Sequence, residues 1–147
     1  MKKGQSFVST GPIVEFTANK TSIPGNTITT EKGQLDVEIK VRSAPWVSVD
    51  EVRIIVNGER KIRLPVKAPR EQILKFQDRI SLNLEYDSYI AIEVLGNETL
   101  FPVLQSSTKY DGYECGPFPY ALTNPIFIDT DGNGKFDPPL PEIKLIF

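Results

Sequence analysis

The segment of this sequence best suited to chemistry is an acidic, glycine-rich run at positions 129–137, which reads D-T-D-G-N-G-K-F-D. Oxygen-bearing side chains recur there on alternate residues. A hard cation such as Ca²⁺ takes about six to eight oxygen ligands, and short side chains spaced in this way in a tight loop converge on one point. The spacing therefore predicts a structural Ca²⁺ site whose ligands are Asp129, Asp131, Asn133, the backbone carbonyl of Lys135, and Asp137.

The second half of this loop departs from the EF-hand pattern. Its twelfth position is Leu140, where an EF-hand has a bidentate glutamate, and Glu142 is out of register. Pro138 and Pro139 prevent a helix from following the loop. A Ca²⁺ ion here would need a ligand from elsewhere in the chain. The alternative interpretation is a metal-free turn held by hydrogen bonds from its own Asp and Asn side chains.

Groups that commonly perform catalysis are scarce. The 147 residues include no histidine, which excludes Ser-His and Cys-His nucleophile pairs. The single cysteine, Cys115, has no His or Lys beside it to activate the thiol. Glu85, Asp87 and Glu93 alternate with apolar residues, so we expect them to lie on a solvated strand face. We therefore expect no enzymatic activity from this chain alone, and a bound ion would be structural.

A second candidate site is the aromatic stretch at positions 110–120. Exposed tyrosines in this stretch could stack on a carbohydrate or dock on a protein surface. Buried, they would cap one end of the fold, and the sequence leaves both interpretations open. The candidate partner-binding residues are Tyr110, Tyr113 and Tyr120.

The charge of the chain bears on its partners. The net charge is −2 with a pI near 5.2, which argues against a nucleic-acid partner. We interpret the one basic concentration as the outer face of a strand pair, or as a contact for an acidic neighbouring domain; it comprises Arg60, Lys61, Arg63, Lys67 and Arg70. The sequence shows no apolar run long enough to span a membrane and no signal peptide after Met1, so the compartment stays open.

The elements that must position these residues are strands. Apolar and polar residues alternate with period two, which predicts an all-β fold, an antiparallel Ig-like β-sandwich of about 7–9 strands. Asn57-Gly58 between two alternating runs predicts a hairpin. The longer predicted strands include residues 34–41, 52–56, 59–66, 80–84 and 88–95, and the shorter ones are 12–17, 26–29, 101–104, 126–128 and 143–147.

The same patterns predict one domain. Residues 1–11 form an incoming arm, and residues 12–147 form a single β-sandwich domain. Residues 70–76 are the only helical candidate, and they are short for a helix. Trp46 is interpreted as an aromatic that fills the space between the sheets or its margin.

Three stretches of the sequence resemble a known family. The stretch P-Y-A-L-T-N-P-I-F-I-D at 119–129, running into D-G-N-G at 131–134, is similar to the C-terminal region of PHP-type (polymerase and histidinol phosphatase) metal-dependent hydrolases of the CehA/McbA-like branch. The stretch G-Q-S-F-V-S-T-G-P at 4–12 resembles the segment that follows the catalytic barrel in those enzymes. Trp46, Val49 and Val52, followed by Asn57-Gly58, resemble the strand and hairpin pattern of the family.

This resemblance implies a division of labour. In such enzymes, histidines and acidic residues of an N-terminal PHP domain hold the metals, and hydrolysis occurs there. The resemblance thus implies that this chain is a non-catalytic C-terminal accessory domain that packs on a catalytic PHP domain. Asn124 and Pro125 would fix the turn into the last strands, and Asp129, Asp131 and Asn133 would form the polar loop. The alternative is a carbohydrate- or surface-binding module that uses the aromatic stretch at 110–120.

Overall fold

The computed structural model describes residues 4–105 and 116–139, and the regular secondary structure in these ranges is strands and one 3₁₀ turn at Glu31–Gly33. The ten strands are β1 Phe7–Ser9, β2 Ile13–Ala18, β3 Thr27–Thr29, β4 Gln34–Arg42, β5 Glu51–Val56, β6 Glu59–Pro65, β7 Leu74–Asn83, β8 Ser88–Leu95, β9 Tyr120–Thr123 and β10 Ile126–Asp129. The all-β prediction is therefore confirmed. Within these ranges no helix has the length and apolarity that a membrane span requires.

The larger sheet has seven strands arranged around β8. One side of β8 pairs with β5, which continues into the β5–β6 hairpin. The other side of β8 pairs first with β10 and then with β9, and all of these pairs are antiparallel. The strand β8 is thus hydrogen-bonded on both sides, and six of its eight residues are buried.

The far edge of this sheet changes partners at Asn124 and Pro125. These two residues separate β9 from β10, so β9 pairs with β1 whereas β10 pairs with β3. The Asn124 side chain donates to the carbonyl oxygen of Gly4 at 2.9 Å, and the Gly25 N–H donates to the carbonyl oxygen of Pro125 at 2.8 Å. The β3–β10 pair is parallel, so the predicted antiparallel arrangement fails for this pair.

The smaller sheet has three strands in the order β2-β4-β7. Its β4 strand alternates between buried and more exposed residues along its whole length. The buried residues of both sheets form one hydrophobic cluster, in which Ile39 of β4, Ile54 of β5 and Ile92 of β8 are fully buried. Burying such a side chain stabilises the fold by about 1.5–3 kcal/mol.

Several predicted elements have the expected form. Asn57 and Gly58 both have positive φ, 51° and 84°, as a two-residue hairpin turn requires. The predicted strand at residues 34–41 is β4, with one further residue. Part of the predicted incoming arm is a strand, because β1 pairs with β9 in the larger sheet.

Three predictions were wrong. Residues 74–76 of the helical candidate begin β7, since the cross-strand partners on β4 offer more hydrogen bonds than one isolated helical turn. Residues 101–104 form turns in place of a strand, because Pro102 lacks an N–H and the Leu104 N–H donates to the carbonyl oxygen of Leu100. Trp46 is 46% exposed, and the neighbouring Val47 fills the core in its stead. The predicted strand at residues 143–147 lies outside the described residues.

Candidate metal centre

The strand register brings two distant aspartates together at one end of the larger sheet. Strands β8 and β10 pair Ile90 with Ile126 and Ser88 with Ile128. One step further along the same register, Asp87 stands opposite Asp129. Asp129 is the last residue of β10, and Asp87 directly precedes β8.

A third carboxylate, Asp131, completes a cluster with this pair. One carboxylate oxygen from each of Asp87, Asp129 and Asp131 lies within 4.8 Å of the other two. Asp87 and Asp129 are buried, with 5% and 1% exposure, whereas Asp131 is exposed. The cluster could hold a metal ion, and it has one side open to solvent.

Hydrogen bonds from three directions fix the carboxylate of Asp129. The Gly132 N–H donates to Oδ1 at 2.7 Å, and the Gly134 N–H donates to Oδ2 at 3.0 Å. The hydroxyl of Thr29, the cross-strand neighbour on β3, donates to Oδ2 at 3.1 Å. Positive φ angles at Gly132 (75°) and Gly134 (79°) allow the loop to turn its N–H groups inward.

Asp87 ties the loop to the start of β8. Its Oδ1 accepts hydrogen bonds from the N–H and the hydroxyl of Thr130, at 2.8 and 3.0 Å. Its Oδ2 accepts a hydrogen bond from the N–H of Asp137 at 3.0 Å. A single side chain thus contacts both the first and the last part of the acidic loop.

The other predicted ligands surround this cluster. Asp131 accepts hydrogen bonds from the N–H and the side-chain amide of Asn133, both at 3.0 Å. Asn133 Oδ1 in turn accepts from the Lys135 N–H at 2.8 Å. The Asp137 carboxylate is not one of the three clustered groups, and its Oδ1 lies 3.4 Å from Asn133 Nδ2. These contacts are the side-chain turns of the metal-free alternative, and they would also orient oxygen ligands if a cation were bound.

The environment favours the ionised forms of the two buried aspartates. The backbone N–H of Thr130 is the largest influence on Asp87 and lowers the pKa of that carboxyl below its ordinary value. Burial acts to raise the pKa of Asp129, but the N–H groups of Gly132 and Gly134 outweigh it, and the net shift is downward. Both groups are therefore carboxylates at neutral pH, the form that binds cations.

The cluster has acceptor capacity left for a cation. A carboxylate has about four lone-pair sites. Asp87 and Asp129 each accept three hydrogen bonds, and Asp131 accepts two. No Lys or Arg in residues 4–105 or 116–139 forms a salt bridge with these three groups. Three adjacent negative charges without a neutralising side chain attract a divalent cation, and all-oxygen donors suit Ca²⁺ or Mg²⁺.

The expectation of a solvated strand face for Glu85, Asp87 and Glu93 was wrong for two of the three residues. Glu85 is exposed, but Asp87 and Glu93 are buried. Asp87 was therefore missed as a candidate for the additional ligand that a cation in the acidic loop would need. A prediction that β8 pairs with β10 would have identified Asp87, because this pairing aligns position 87 with position 129.

Glu93 is buried on β8 within an ionic network. Arg60 Nε donates to its Oε2 at 2.9 Å, and Arg53 Nη1 donates to the same oxygen at 3.2 Å. The Arg60 guanidinium is the main reason that the pKa of Glu93 lies below its ordinary value, although burial opposes the shift. Tyr120, a predicted partner-binding residue, is half-buried, and its hydroxyl donates to Glu93 Oε1 at 3.4 Å. Tyr110 and Tyr113 lie outside the described residues.

Most of the basic concentration is neutralised within the chain. Arg60 pairs with Glu93, and Arg70 pairs with Glu98 at 2.7 Å. The remaining pairs are Lys61 with Glu59 at 2.5 Å and Arg63 with Glu51 at 3.8 Å. This arrangement agrees with the interpretation of a strand-pair face.

The fold and the site define a β-protein with a candidate cation-binding loop. Comparison with known proteins adds no relative, since no protein-family description, curated protein or solved structure matches this chain. The functional interpretation therefore depends on the residues themselves.

Proposed function

We propose that this chain is a non-catalytic accessory β-domain that is stabilised by a structural Ca²⁺ ion. The main support for this proposal is that Asp87, Asp129 and Asp131 converge from two separate segments of the chain. A cation there would connect the end of β10 to the start of β8. Because the site joins strands, its effect is on the stability of the fold and on the position of the residues after β10.

The topology supports an Ig-like sandwich for this domain. One sheet has the order β2-β4-β7, and the other has β6-β5-β8 followed by the interrupted β9 and β10 strand. Consecutive pairs of strands divide between two sheets around one core in Ig-like folds. In addition, β2 and β3 belong to different sheets although they are adjacent in sequence.

Two features support a non-catalytic role. The sequence contains no histidine to act as a general base at neutral pH. The two buried aspartates are ionised, and each accepts three hydrogen bonds from backbone N–H groups and a hydroxyl. They are therefore poorly suited to accept or release a proton during a reaction.

We further propose that the domain belongs to a PHP-type metal-dependent hydrolase, in which it packs on an N-terminal catalytic domain. The proposal rests on the resemblance of residues 4–12 and 119–134 to the C-terminal region of those enzymes. These two stretches are neighbours in the fold, because β1 pairs with β9 and Asn124 binds Gly4 and Ser6. Their proximity means that the two stretches form one unit of structure, as this proposal expects.

Calorimetry and thermal unfolding test the Ca²⁺ site. We expect one saturable heat of binding for Ca²⁺ and a higher melting temperature with Ca²⁺ than with a chelator. At a free Ca²⁺ concentration of about 100 times Kd, the added stability is about 2.7 kcal/mol. The absence of a heat, together with an unchanged melting temperature, would refute the site.

A matched pair of variants locates the effect. Asp131→Asn should weaken binding strongly, because it removes a charge at the open side of the cluster. Asp78→Asn removes the same charge from β7, where the carboxylate only accepts a hydrogen bond from the next N–H, and it should leave Ca²⁺ binding unchanged.

The accessory role has a separate test. The coding sequence upstream of Met1 should encode, in the same frame, a His-x-His metal motif. Joining that region to residues 4–147 should give a hydrolase whose activity or stability falls when residues 4–147 are removed. An in-frame stop codon just before Met1 would contradict this role without affecting the Ca²⁺ site.

A further inference from the structure

Strand β7 is a long free edge of the smaller sheet. It runs from Leu74 to Asn83, and among the described residues it pairs only with β4. Its other side presents a row of backbone N–H and C=O groups, which are a template for pairing with a strand of another molecule. A free edge of this length promotes association between molecules unless a residue of the strand opposes the pairing.

Asp78 interrupts the apolar side of β7. The residues on that side, Phe76, Ile80 and Leu82, lie opposite buried residues of β4 and pack against the hydrophobic core. Asp78 lies opposite Ile39, which is fully buried, so it belongs to the same core-facing side of the strand. Its three apolar neighbours are half-buried, whereas Asp78 is exposed, because at the edge of the sheet its carboxylate reaches water.

The carboxylate of Asp78 is not neutralised by a basic side chain of the described residues. Its Oδ1 accepts a hydrogen bond from the N–H of Arg79 at 2.8 Å. No Lys or Arg in the ranges 4–105 and 116–139 forms a salt bridge with it. Aspartate is also depleted in strands, so this residue does not favour the strand that contains it. A strand added to β7 would cover an unpaired charge.

We propose that Asp78 prevents β7 from pairing with β7 of a second copy of this chain. Such a pair has a two-fold axis perpendicular to the sheet, so the strands are antiparallel and directly opposite residues face the same side. Each register is therefore centred on one residue that lies opposite itself. The registers that pair more than half of the ten-residue strand are centred on residues 77, 78, 79 and 80.

Asp78 opposes each of these registers. With the centre at 78, Asp78 lies opposite Asp78 of the second copy, and like charges directly opposite each other destabilise a sheet. With the centre at 77, 79 or 80, it lies opposite an apolar residue of the core-facing side, which is Phe76, Ile80 or Leu82. The added strand then covers a carboxylate with apolar side chains and supplies no positive partner, which is unfavourable. Inward-facing charges protect edge strands in this way.

Three variants of the full-length chain test this inference by light scattering. Asp78→Val removes the charge and adds a residue that strands favour, so its mass should rise toward about twice that of the monomer as the concentration increases. Asp78→Lys keeps a charge at the same position and should stay monomeric, like the original chain. Asp36→Val makes the same exchange on the outward side of the central strand β4, where Asp36 accepts a hydrogen bond from Ser81, and it should also stay monomeric.

Hydrogen exchange locates the contact. In Asp78→Val, the β7 amides should exchange about tenfold or more slowly at high protein concentration than at low concentration, whereas the rates in Asp78→Lys should not depend on concentration. A monomeric Asp78→Val, or an association that protects amides outside β7, overturns the proposal. A dimer of the original chain paired through β7 overturns it as well. Equal association of Asp36→Val would also overturn it, because any exchange of a surface charge for an apolar residue would then have the same effect.

Discussion

Asp87 holds Thr130 by two hydrogen bonds to one oxygen, from the Thr130 N–H at 2.8 Å and from its hydroxyl at 3.0 Å. These residues are separated by 43 positions in the sequence, and they join the segment before β8 to the acidic loop after β10. The loop is consequently shaped by a residue outside it, and its affinity for a cation should depend on that residue.

Asp87→Asn tests this dependence. The substitution removes one of the three clustered charges while keeping an oxygen that can accept hydrogen bonds. We expect the Kd for Ca²⁺ to rise by about tenfold or more, equivalent to at least about 1.4 kcal/mol, as measured by calorimetry. An unchanged Kd would show that the loop binds without Asp87. Asp36→Asn, on the outward side of β4, is the control for loss of a carboxylate that also accepts a hydroxyl hydrogen bond.

Glu93→Gln should destabilise the larger sheet. The variant loses charge-assisted hydrogen bonds to Arg53 and Arg60 at a residue that is 4% exposed. We expect a loss of about 2 kcal/mol in the free energy of unfolding at pH 7 by denaturant titration. Glu38→Gln breaks an ion pair whose side chains are 41% and 51% exposed, and its effect should stay below about 0.5 kcal/mol.

The difference between Glu93→Gln and the original chain should depend on pH. The pKa of Glu93 is lowered in the folded chain, mainly by Arg60. Its stabilising contribution is therefore complete above its ordinary pKa of 4.5 and is lost as the pH falls through the lower folded value. Unfolding measured at several pH values should show the two proteins converging in acid. A constant difference at all pH values would contradict an ionic origin.

Two glycines with similar φ should respond differently to alanine. Gly33 (φ 70°) and Gly134 (φ 79°) are both left-handed, a conformation that costs a non-glycine residue about 1–2 kcal/mol. An added methyl group at Gly33 would overlap the carbonyl oxygen of Leu84, whereas at Gly134 it meets open space. Gly33→Ala should therefore lower the free energy of unfolding by about 3 kcal/mol or more, and Gly134→Ala by about 1 kcal/mol.

Ile92→Ala tests the position of the core. Ile92 lies on the central strand β8 and is fully buried in the cluster that both sheets share. The cavity left by the truncation should cost about 2–5 kcal/mol in the free energy of unfolding. Val8→Ala is the comparison, because Val8 is 63% exposed on the edge strand β1 and should cost little. Similar losses in both variants would argue against this placement of the core.

The sequence specifies the interior strands of this fold better than its edges. The alternation in β4 and β5 is clear because one side of each strand is buried, and Asn57-Gly58 has few alternatives to a tight hairpin. The three-residue strand β1 is too short to show alternation, and its three residues are all exposed. Its pairing depends on β9, which is more than a hundred residues away, and local patterns carry no information about such contacts.

The residues of the candidate site likewise fall into those that local spacing reveals and those that only strand pairing brings together. The spacing of Asp129, Asp131 and Asn133 is local, so it could be recognised from the sequence. Asp87 belongs to the site only through the pairing of β8 with β10, and its alternating neighbours suggested a solvated face. Glu93 was misjudged for a related reason, since Arg53 and Arg60 cover it from neighbouring strands.

The pairing of β9 with β1 and of β10 with β3 has a consequence for the rate of folding. The hydrogen bond from Thr29 to Asp129 spans 100 positions, and that from Asn124 to Gly4 spans 120. Closing loops of this size costs chain entropy before the contacts form, and folds with such contacts assemble slowly. During synthesis, β1 and β3 leave the ribosome long before their partners exist. These two edge strands have no partner until residues 120–129 emerge, so their exposure to aggregation lasts until that stretch has been synthesised.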